Sequence, residues 1–244
     1  MHRCLVKTEE LLADALTLGR DEARHLQTVL RVKPGERVTL FDGQGHTRQA
    51  VITSAEKRGL SLETEKPPQS HPRPACAVTL FACVSKGKRM DWTVEKAVEL
   101  GVTRIVPVIS DRTIVRLDAD DGDAKTDRWL RVAEEAARQC GAAWLPEIAH
   151  PVPFKDCLAV VRQTAPVYVA ALTPTAEPLR VALAAHPEPP PQAGWFVGPE
   201  GDFTSAELDA LLGAGAVPVS LGQQILRAET ACLYGLCVLN CAWL

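Results

Sequence analysis

Hydrophobic and polar positions divide the chain into two parts with different patterns. A polar, proline-rich segment, Lys66–Pro74, separates them, because its prolines cannot continue a helix or a central strand. Before it, short runs rich in β-branched and apolar residues alternate with Gly-containing turns and predict strands, preceded by a helix at Asp21–Leu30. The predicted strands lie in ERVTLFDG (36–43), GHTRQAVITSA (45–55) and GLSLETE (59–65).

After this boundary, apolar runs of strand length alternate with amphipathic helical stretches. The predicted strands are CAVTLFACV (76–84), TRIVPVIS (103–110), PVYVAAL (166–172) and GWFVG (194–198). The predicted helices are 91–101, with Asp91 as N-cap and Gly101 as stop, then 127–141, 179–185 and a buried helix over 231–244. Such alternation predicts a parallel sheet covered on both faces, with ligands at the carboxyl ends of its strands.

Composition places the chain among ordinary globular proteins. Of its 244 residues, 46% are hydrophobic and 23% charged, which excludes disordered, collagen-like and membrane classes. Residues 1–74 carry 12 basic and 10 acidic side chains, whereas residues 139–244 carry 4 and 9. A bound polyanion is therefore expected on the first two thirds of the chain.

The cysteines indicate reduced thiols. There are 8 of them, and because none forms a CxxC pair we expect no metal site. The first residues, MHRCLVKTEE, lack the apolar core of a secretory signal, so we expect a cytoplasmic protein. The apolar stretch 231–244 is too short to span a bilayer, so no membrane association is expected.

A first candidate motif, Gly198-Pro199-Glu200-Gly201-Asp202-Phe203-Thr204, follows a predicted strand. Thr204 and Glu207 have the spacing of a capping box, so a helix is expected to begin there. Two glycines allow a ligand to approach the backbone, and the helix N-terminus offers free N–H groups. The alternative is a tight turn that uses Gly and Pro only for its geometry.

A second candidate motif is the segment SLGQQILRAETA, Ser220–Ala231. Arg227 and Glu229 are the only charges after Asp209, and burying them in this apolar sequence requires partners or a ligand. The alternative is a structural ion pair that holds the last helix. Dinucleotide-binding, P-loop, zinc-protease and nucleophile-elbow motifs are absent from the sequence.

GPEGDFTSAEL followed by LGQQILRAETA resembles the paired signature of the RsmE family, SPOUT-class methyltransferases that act on uridine N3 of small-subunit (16S) ribosomal RNA. Further segments agree with this resemblance over nearly the whole length: His25–Arg31, Phe41–Gly43, Glu95–Val102 and Arg138–Gly141. The resemblance implies an α/β protein (α+β overall), with a PUA-like β-barrel over residues 1–70 and a SPOUT domain over 75–244. It also implies a C-terminal deep trefoil knot and a homodimer.

The resemblance further implies that S-adenosylmethionine is the cofactor. Carried onto this chain, its binding residues would be Leu172, Thr173, Pro174, Gly198, Pro199, Glu200, Gly201, Leu221, Gly222, Ile225, Leu226 and Thr230. Because the proton on uridine N3 must be removed or the uridine anion stabilised, we predict Arg227 as the electrostatic catalyst. Glu229 would orient Arg227 or act as the base.

Ribosomal RNA, free or in the assembled small subunit, is the expected partner. Charge and resemblance together predict contacts from Arg3, Arg24, Arg31, Lys33, Lys88 and Arg89. The family shows Gly at Asp202, and Arg at Gln224, Ala142 and Trp144. These differences keep rivals open: a SPOUT-class enzyme for another RNA position, a non-catalytic RNA-binding protein, or an assembly protein that dimerises through its last helix.

Overall fold

A computed structural model describes residues 2–19, 23, 31–56, 59–115 and 119–243. The chain folds into two compact units. Unit 1 comprises Met1–Arg73 together with Ala137–Leu145, and unit 2 comprises Pro74–Ala136 and Pro146–Leu244. Unit 1 therefore includes a short segment from within the region 75–244, which the sequence predicts as one contiguous domain.

Unit 1 is built on one mixed sheet. Its described elements are β1 (His2–Leu5), α1 (Thr8–Leu12), β2 (Ala15–Leu18), β3 (Arg37–Phe41), β4 (His46–Glu56), β5 (Gly59–Thr64) and β6 (Gln69–Ser70). The strand order is β1-β3-β4-β5-β2, and β6 pairs with β4. The strands predicted at 36–43, 45–55 and 59–65 are confirmed as β3, β4 and β5. The pattern missed β1, which runs parallel to β3.

The core of unit 1 follows from the alternation of its strands. Val38 and Leu40 of β3, Ile52 of β4 and Leu60 of β5 are buried together with Leu11 of α1. The predicted helix at 21–30 lies outside the described residues except for Ala23, which is buried in the same cluster.

A tight turn joins β3 to β4, as the sequence predicts. The Asp42 carboxylate accepts hydrogen bonds from the backbone N–H of Gln44 at 2.8 Å and of His46 at 3.0 Å. Burial opposes ionisation, but these bonds prevail and hold the pKa of Asp42 below its usual value. Gly43 and Gly45 have φ of 69° and 91°, a region that favours glycine. Asp42 thus has a structural role.

Unit 2 contains a sheet of eight strands, all of whose pairings are parallel. Its strands are β7 (Ala77–Cys83), β8 (Arg104–Ile109), β9 (Glu147–Ile148), β10 (Val152–Pro153), β11 (Val167–Ala170), β12 (Glu177–Pro178), β13 (Gln192–Val197) and β14 (Ala216–Ser220). The order is β10-β8-β7-β13-β11-β14-β12, with β9 beside β8. The predicted parallel sheet is confirmed.

The described helices of unit 2 fall near their predicted positions, except that the helix over Phe154–Gln163 was not predicted and the helix over Ala119–Cys140 begins earlier than predicted. They are α2 (Arg89–Glu99), α3 (Ala119–Cys140), α4 (Phe154–Gln163), α5 (Leu179–Leu183), α6 (Ser205–Gly213) and α7 (Ala228–Trp243). The prediction of Asp91 as N-cap of α2 is wrong, because the cap is Lys88. Asp91 lies in the first turn, where its charge suits the helix dipole and pairs with Arg128. Gly101, with φ of 77°, follows the helix as expected.

The last helix, α7, packs against α2 and β13. Gly235 faces the fully buried Trp195 of β13, whose Nε1 donates to the carbonyl of Ala231 at 3.2 Å. The predicted burial of this helix is confirmed for the face that packs against α2 and β13. Tyr234 and Cys237 of the same helix are exposed. No helix in the described part of the chain has the length and apolarity needed to cross a membrane.

The segment 137–145 joins unit 1 through specific contacts. The backbone N–H of Gly45 donates to the Ala143 carbonyl at 3.0 Å, and that of Leu145 donates to the Gly43 carbonyl at 2.9 Å. The guanidinium of Arg3 donates to the carbonyls of Gly141 and Ala142. Long-range hydrogen bonds, which periodicity does not show, therefore attach this segment to unit 1.

Burial separates the eight free thiols into two classes. Burial raises the pKa of Cys76 to about 11 and those of Cys83 and Cys157 to about 12, and it also raises that of Cys232. We expect only the three exposed thiols, Cys140, Cys237 and Cys241, to react within minutes with a polar thiol reagent at pH 8. Reaction with intact and denatured protein, mapped by mass spectrometry, measures this. Rapid labelling of the buried thiols in folded protein would contradict it.

Candidate functional site

A cavity of about 300 Å³ lies in unit 2 where three neighbouring strands end. Ala170 and Ala171 enter it from the end of β11, Val197 and Gly198 from the end of β13, and Val219 from β14. These are carboxyl ends of parallel strands, the edge at which such sheets bind ligands. Both candidate motifs line this one cavity.

Apolar side chains form an open wall of the cavity. Leu172 is 65% exposed and Ile225 is 80% exposed, and Leu226 lies beside them. Exposed aliphatic side chains in a concave site are suited to contact a flat aromatic ligand group. Gly222, with φ of 127°, lies in the same wall, and a Cβ there would meet no atom within 4 Å.

The loop after β13 is braced from both sides. A Cβ at Gly198 would lie 3.0 Å from the ring of Phe203, so this backbone packs directly on the ring. Arg112 Nη1 donates to the Gly201 carbonyl at 2.8 Å. Asp202 has φ of 60°, which Asp tolerates better than most residues, and its Oδ1 accepts from the N–H of Phe203 at 2.8 Å. The loop is thus held in one shape.

The predicted capping box at the start of α6 is present. Thr204 accepts from the Glu207 N–H at 3.2 Å, and Glu207 accepts from the Thr204 N–H at 2.9 Å. The buried Glu207 carboxylate also accepts from the backbone N–H of Asp111 at 2.8 Å. It therefore ties the loop after β8 to the motif after β13.

Arg89 connects the two motifs. Its Nη1 lies 3.0 Å from Glu200 Oε1 of the first motif, and its Nε lies 3.9 Å from Glu229 Oε1 of the second. The Glu229 side chain is only 14% exposed, and its Oε2 is buried without a hydrogen-bond partner among the described residues. A buried carboxylate of this kind requires a nearby cation. The prediction that Glu229 orients Arg227 differs from this geometry, in which Arg89 is the cation that faces Glu229.

Arg227 lines the cavity with an exposed side chain, directly before α7. Within the described ranges no carboxylate lies within 4 Å of its guanidinium. Its charge is therefore available to a ligand in the cavity.

The structure brings most of the predicted cofactor residues together. Those lining the cavity are Leu172, Gly198, Pro199, Glu200, Leu221, Gly222, Ile225 and Leu226. Those that do not line it are Thr173, Pro174, Gly201 and Thr230. Gly201 instead accepts the hydrogen bond from Arg112, and Thr230 lies in the first turn of α7. The roles of all twelve stay predictions.

The predicted RNA contacts have different surroundings in each unit. In unit 1, Arg31 and Lys33 are exposed, whereas the half-buried Arg3 guanidinium lies 4.7 Å from the Phe41 ring centroid. Because Arg3 also donates to the carbonyls of Gly141 and Ala142, its guanidinium links β1 to the segment 137–145. Burial, opposed by Cys140, lowers its pKa. Arg24 lies outside the described residues. In unit 2, Lys88 is exposed and Arg89 is engaged with the two carboxylates.

Sequence reasoning missed several residues of the site. The cavity is also lined by Ala170, Ala171, Val197, Asp202, Val219, Ser220, Gln224, Ala228 and Ala231. For Ala170, Ala171, Val197, Val219 and Ser220, the position at or next to a strand end was a usable signal. Arg112 gave none, because its contact with Gly201 spans 89 positions of the sequence. Among the described residues no group of three or more His, Cys, Asp or Glu side chains is arranged to hold a metal ion.

Comparison with known proteins agrees with the two-unit organisation. Residues 71–240 match a family model described as an RNA methyltransferase domain, and residues 18–65 match an RNA methyltransferase PUA domain. The first match alone covers more than half of the chain. The chain belongs to this family of RNA methyltransferases.

Named relatives and a solved structure show that the chain belongs to the RsmE family, which confirms the resemblance noted from the two motifs. The ribosomal RNA small subunit methyltransferase E of Synechocystis is 30% identical over 98% of this chain and 77% of its own length. That of Mycobacterium bovis is 32% identical over 86% of this chain and 80% of its own. The crystal structure of the Neisseria gonorrhoeae enzyme bound to S-adenosyl methionine matches with a TM-score of 0.87 and 31% identity, covering 100% and 98% of the two chains.

Proposed function

We propose that this RsmE-family protein transfers a methyl group from S-adenosylmethionine to N3 of a uridine in small-subunit ribosomal RNA. The observation that carries the proposal is the single cavity at the ends of β11, β13 and β14, in which both family motifs meet. Its Neisseria relative has been crystallised with this cofactor and carries the name of a small-subunit ribosomal RNA methyltransferase.

The cavity has the properties that the cofactor needs. Leu172, Ile225 and Leu226 supply an apolar surface for an adenine ring. Gly198 and Gly222 line the cavity and place no side chain in it. When bound, S-adenosylmethionine supplies an electrophilic methyl group. The protein's part is to align the uridine nitrogen with that methyl group and to exclude water.

Arg227 is the residue best placed for electrostatic catalysis. Its guanidinium lines the cavity and is free of a carboxylate partner in the described ranges. It stabilises the negative charge that develops on the uracil ring as N3 loses its proton. Glu229, paired with Arg89, holds the second motif beside Glu200 of the first. Glu229 stays the alternative candidate for the base that accepts the N3 proton, although it does not line the cavity.

The proposal extends to the architecture and the partners of the protein. The sheet of unit 1 would close into a PUA-like β-barrel that contacts RNA through Arg24, Arg31 and Lys33, with Lys88 contributing from unit 2. The C-terminal segment of unit 2 would form the trefoil knot that the family resemblance implies. The exposed Tyr234 face of α7 is the proposed homodimer surface.

The free cysteines favour a reducing compartment, the cytoplasm.

The apolar wall gives a direct prediction for cofactor binding. Ile225→Ala is expected to raise the dissociation constant for S-adenosylmethionine about tenfold, since burying such a side chain contributes about 1.5 kcal/mol. Isothermal titration calorimetry measures it. The matched control is Ile114→Ala, because Ile114 is 64% exposed and does not line the cavity. Equal effects of the two substitutions would contradict the assignment.

The decisive experiment locates the methyl group. Purified protein and labelled S-adenosylmethionine are incubated with small ribosomal subunits, and separately with free ribosomal RNA, from cells that lack the modification. Nuclease digestion and mass spectrometry then identify the labelled nucleotide. One N3-methyluridine is the expected result. Label at another position would favour a different target, and cofactor binding without transfer would favour a non-catalytic RNA-binding protein. An absence of cofactor binding would favour an assembly role.

A further inference from the structure

Arg73 lies against an indole ring in unit 1. Its guanidinium carbon is 4.3 Å from the centroid of the Trp144 ring, within the range of a cation–π interaction. Arg73 is exposed and Trp144 is partly buried. We call this pair the Arg73–Trp144 stack.

The Trp144 ring of the stack is fixed by its surroundings. Its Nε1 lies 3.2 Å from the His71 carbonyl and 3.1 Å from the Pro72 carbonyl, so its only donor is used. A Cβ at Gly45 would lie 2.2 Å from the ring, which therefore packs directly on the glycine backbone. Trp144 also forms a β-bridge with Gln44. The ring is a rigid support for Arg73.

The donors of Arg73 differ from those of three other arginines in the same unit. Arg37 donates to both oxygens of Glu65, Arg48 donates to the carbonyls of Leu11, Leu12 and Ala13, and Arg3 donates to two carbonyls. Across the part of unit 1 that the structure describes, the N–H groups of Arg73 have no acceptor and no carboxylate lies within 4 Å. The ring contact leaves all five N–H groups available.

A guanidinium with free donors and a fixed orientation fits a phosphate group. Its paired N–H groups can bind two phosphate oxygens at once, and a preorganised side chain loses less entropy on binding. Because this inference builds on the proposed function, the phosphate is that of the RNA backbone.

We propose that the Arg73–Trp144 stack is an RNA-phosphate contact of unit 1, with Arg73 as the ligand and Trp144 as its support. Arg73 lies at the end of the proline-rich segment Lys66–Pro74 and Trp144 in the segment 137–145, both within unit 1. Neither residue is among those predicted from charge. It acts on binding rather than on methyl transfer itself.

Binding of labelled, deproteinised small-subunit ribosomal RNA, measured at several salt concentrations, tests the proposal. Arg73→Ala is expected to raise the dissociation constant about tenfold and to reduce the slope of log affinity against log salt by about 1. Arg73→Lys keeps the charge and should retain the slope with intermediate affinity. Trp144→Leu leaves Arg73 in place but unsupported, so affinity should fall about threefold at an unchanged slope.

The control is Arg37→Ala, which removes the same charge from unit 1 at a residue already paired with Glu65. It should change the slope less than Arg73→Ala does. The melting temperature and the S-adenosylmethionine affinity of every variant are measured as controls for folding. A purely structural role of the stack would lower the melting temperature of the variants without altering the salt slope. Wild-type affinity and slope in Arg73→Ala would overturn this proposal alone. Failure of the wild-type protein to bind ribosomal RNA would overturn it together with the proposed function.

Discussion

Arg227→Ala is expected to lower the single-turnover rate of RNA methylation about 100-fold, the loss typical when one donor that stabilises developing charge is removed. The reason is the position of Arg227 in the cavity with no carboxylate partner in the described ranges. Its charge would therefore act on the uracil ring rather than neutralise a neighbour. Single-turnover assays with saturating cofactor measure the effect without interference from product release.

Two controls separate this role from a general loss of charge or fold. Arg162→Ala removes an exposed arginine at the end of α4 that does not line the cavity, and it should leave the rate unchanged. Arg227→Lys keeps the charge without the planar fork, so an intermediate rate is expected. Cofactor affinity of Arg227→Ala should stay within about threefold of wild type, since its role concerns the uracil anion. A rate within a factor of about two of wild type would refute the assignment.

Gly235→Ala is expected to lower the free energy of unfolding by about 3 kcal/mol, the upper part of the range for overpacking a core. A Cβ at this position would lie 2.0 Å from Trp195 Cε2. Trp195 cannot move aside easily, because it is fully buried and its Nε1 donates to Ala231. Alanine's better helix propensity, about 1 kcal/mol, is too small to compensate.

Thermal and denaturant unfolding measure this change, with a melting temperature expected to fall by roughly 10 °C. Gly213→Ala is the matched control, because Gly213 also lies in a helix but an added Cβ would meet nothing within 4 Å. It should leave stability unchanged or raise it slightly. Equal melting temperatures for the two variants would show that the contact between α7 and β13 is less tight than described.

Local chemistry made the elements of the site predictable. The capping box of Thr204 and Glu207 needs only residues three apart, and the structure contains it. The apolar runs that became β7 and β13 are likewise visible in the sequence, because strand and helix periodicities are properties of neighbouring residues. The same reasoning is less reliable for helix ends: Asp91 is a good N-cap residue, yet the N-cap of α2 is Lys88.

Sequence patterns alone predict a division into two parts, the parallel α/β character of the larger part and the two motifs that line the cavity. Three further features depend on how distant segments pack: β11 lies between β13 and β14, residues 137–145 belong to unit 1, and Arg89 faces both Glu200 and Glu229. Arg89 and Glu200 are 111 positions apart. Hydrogen-bonding preferences and periodicity act over a few residues, whereas such pairings depend on how the buried faces of distant elements pack against one another.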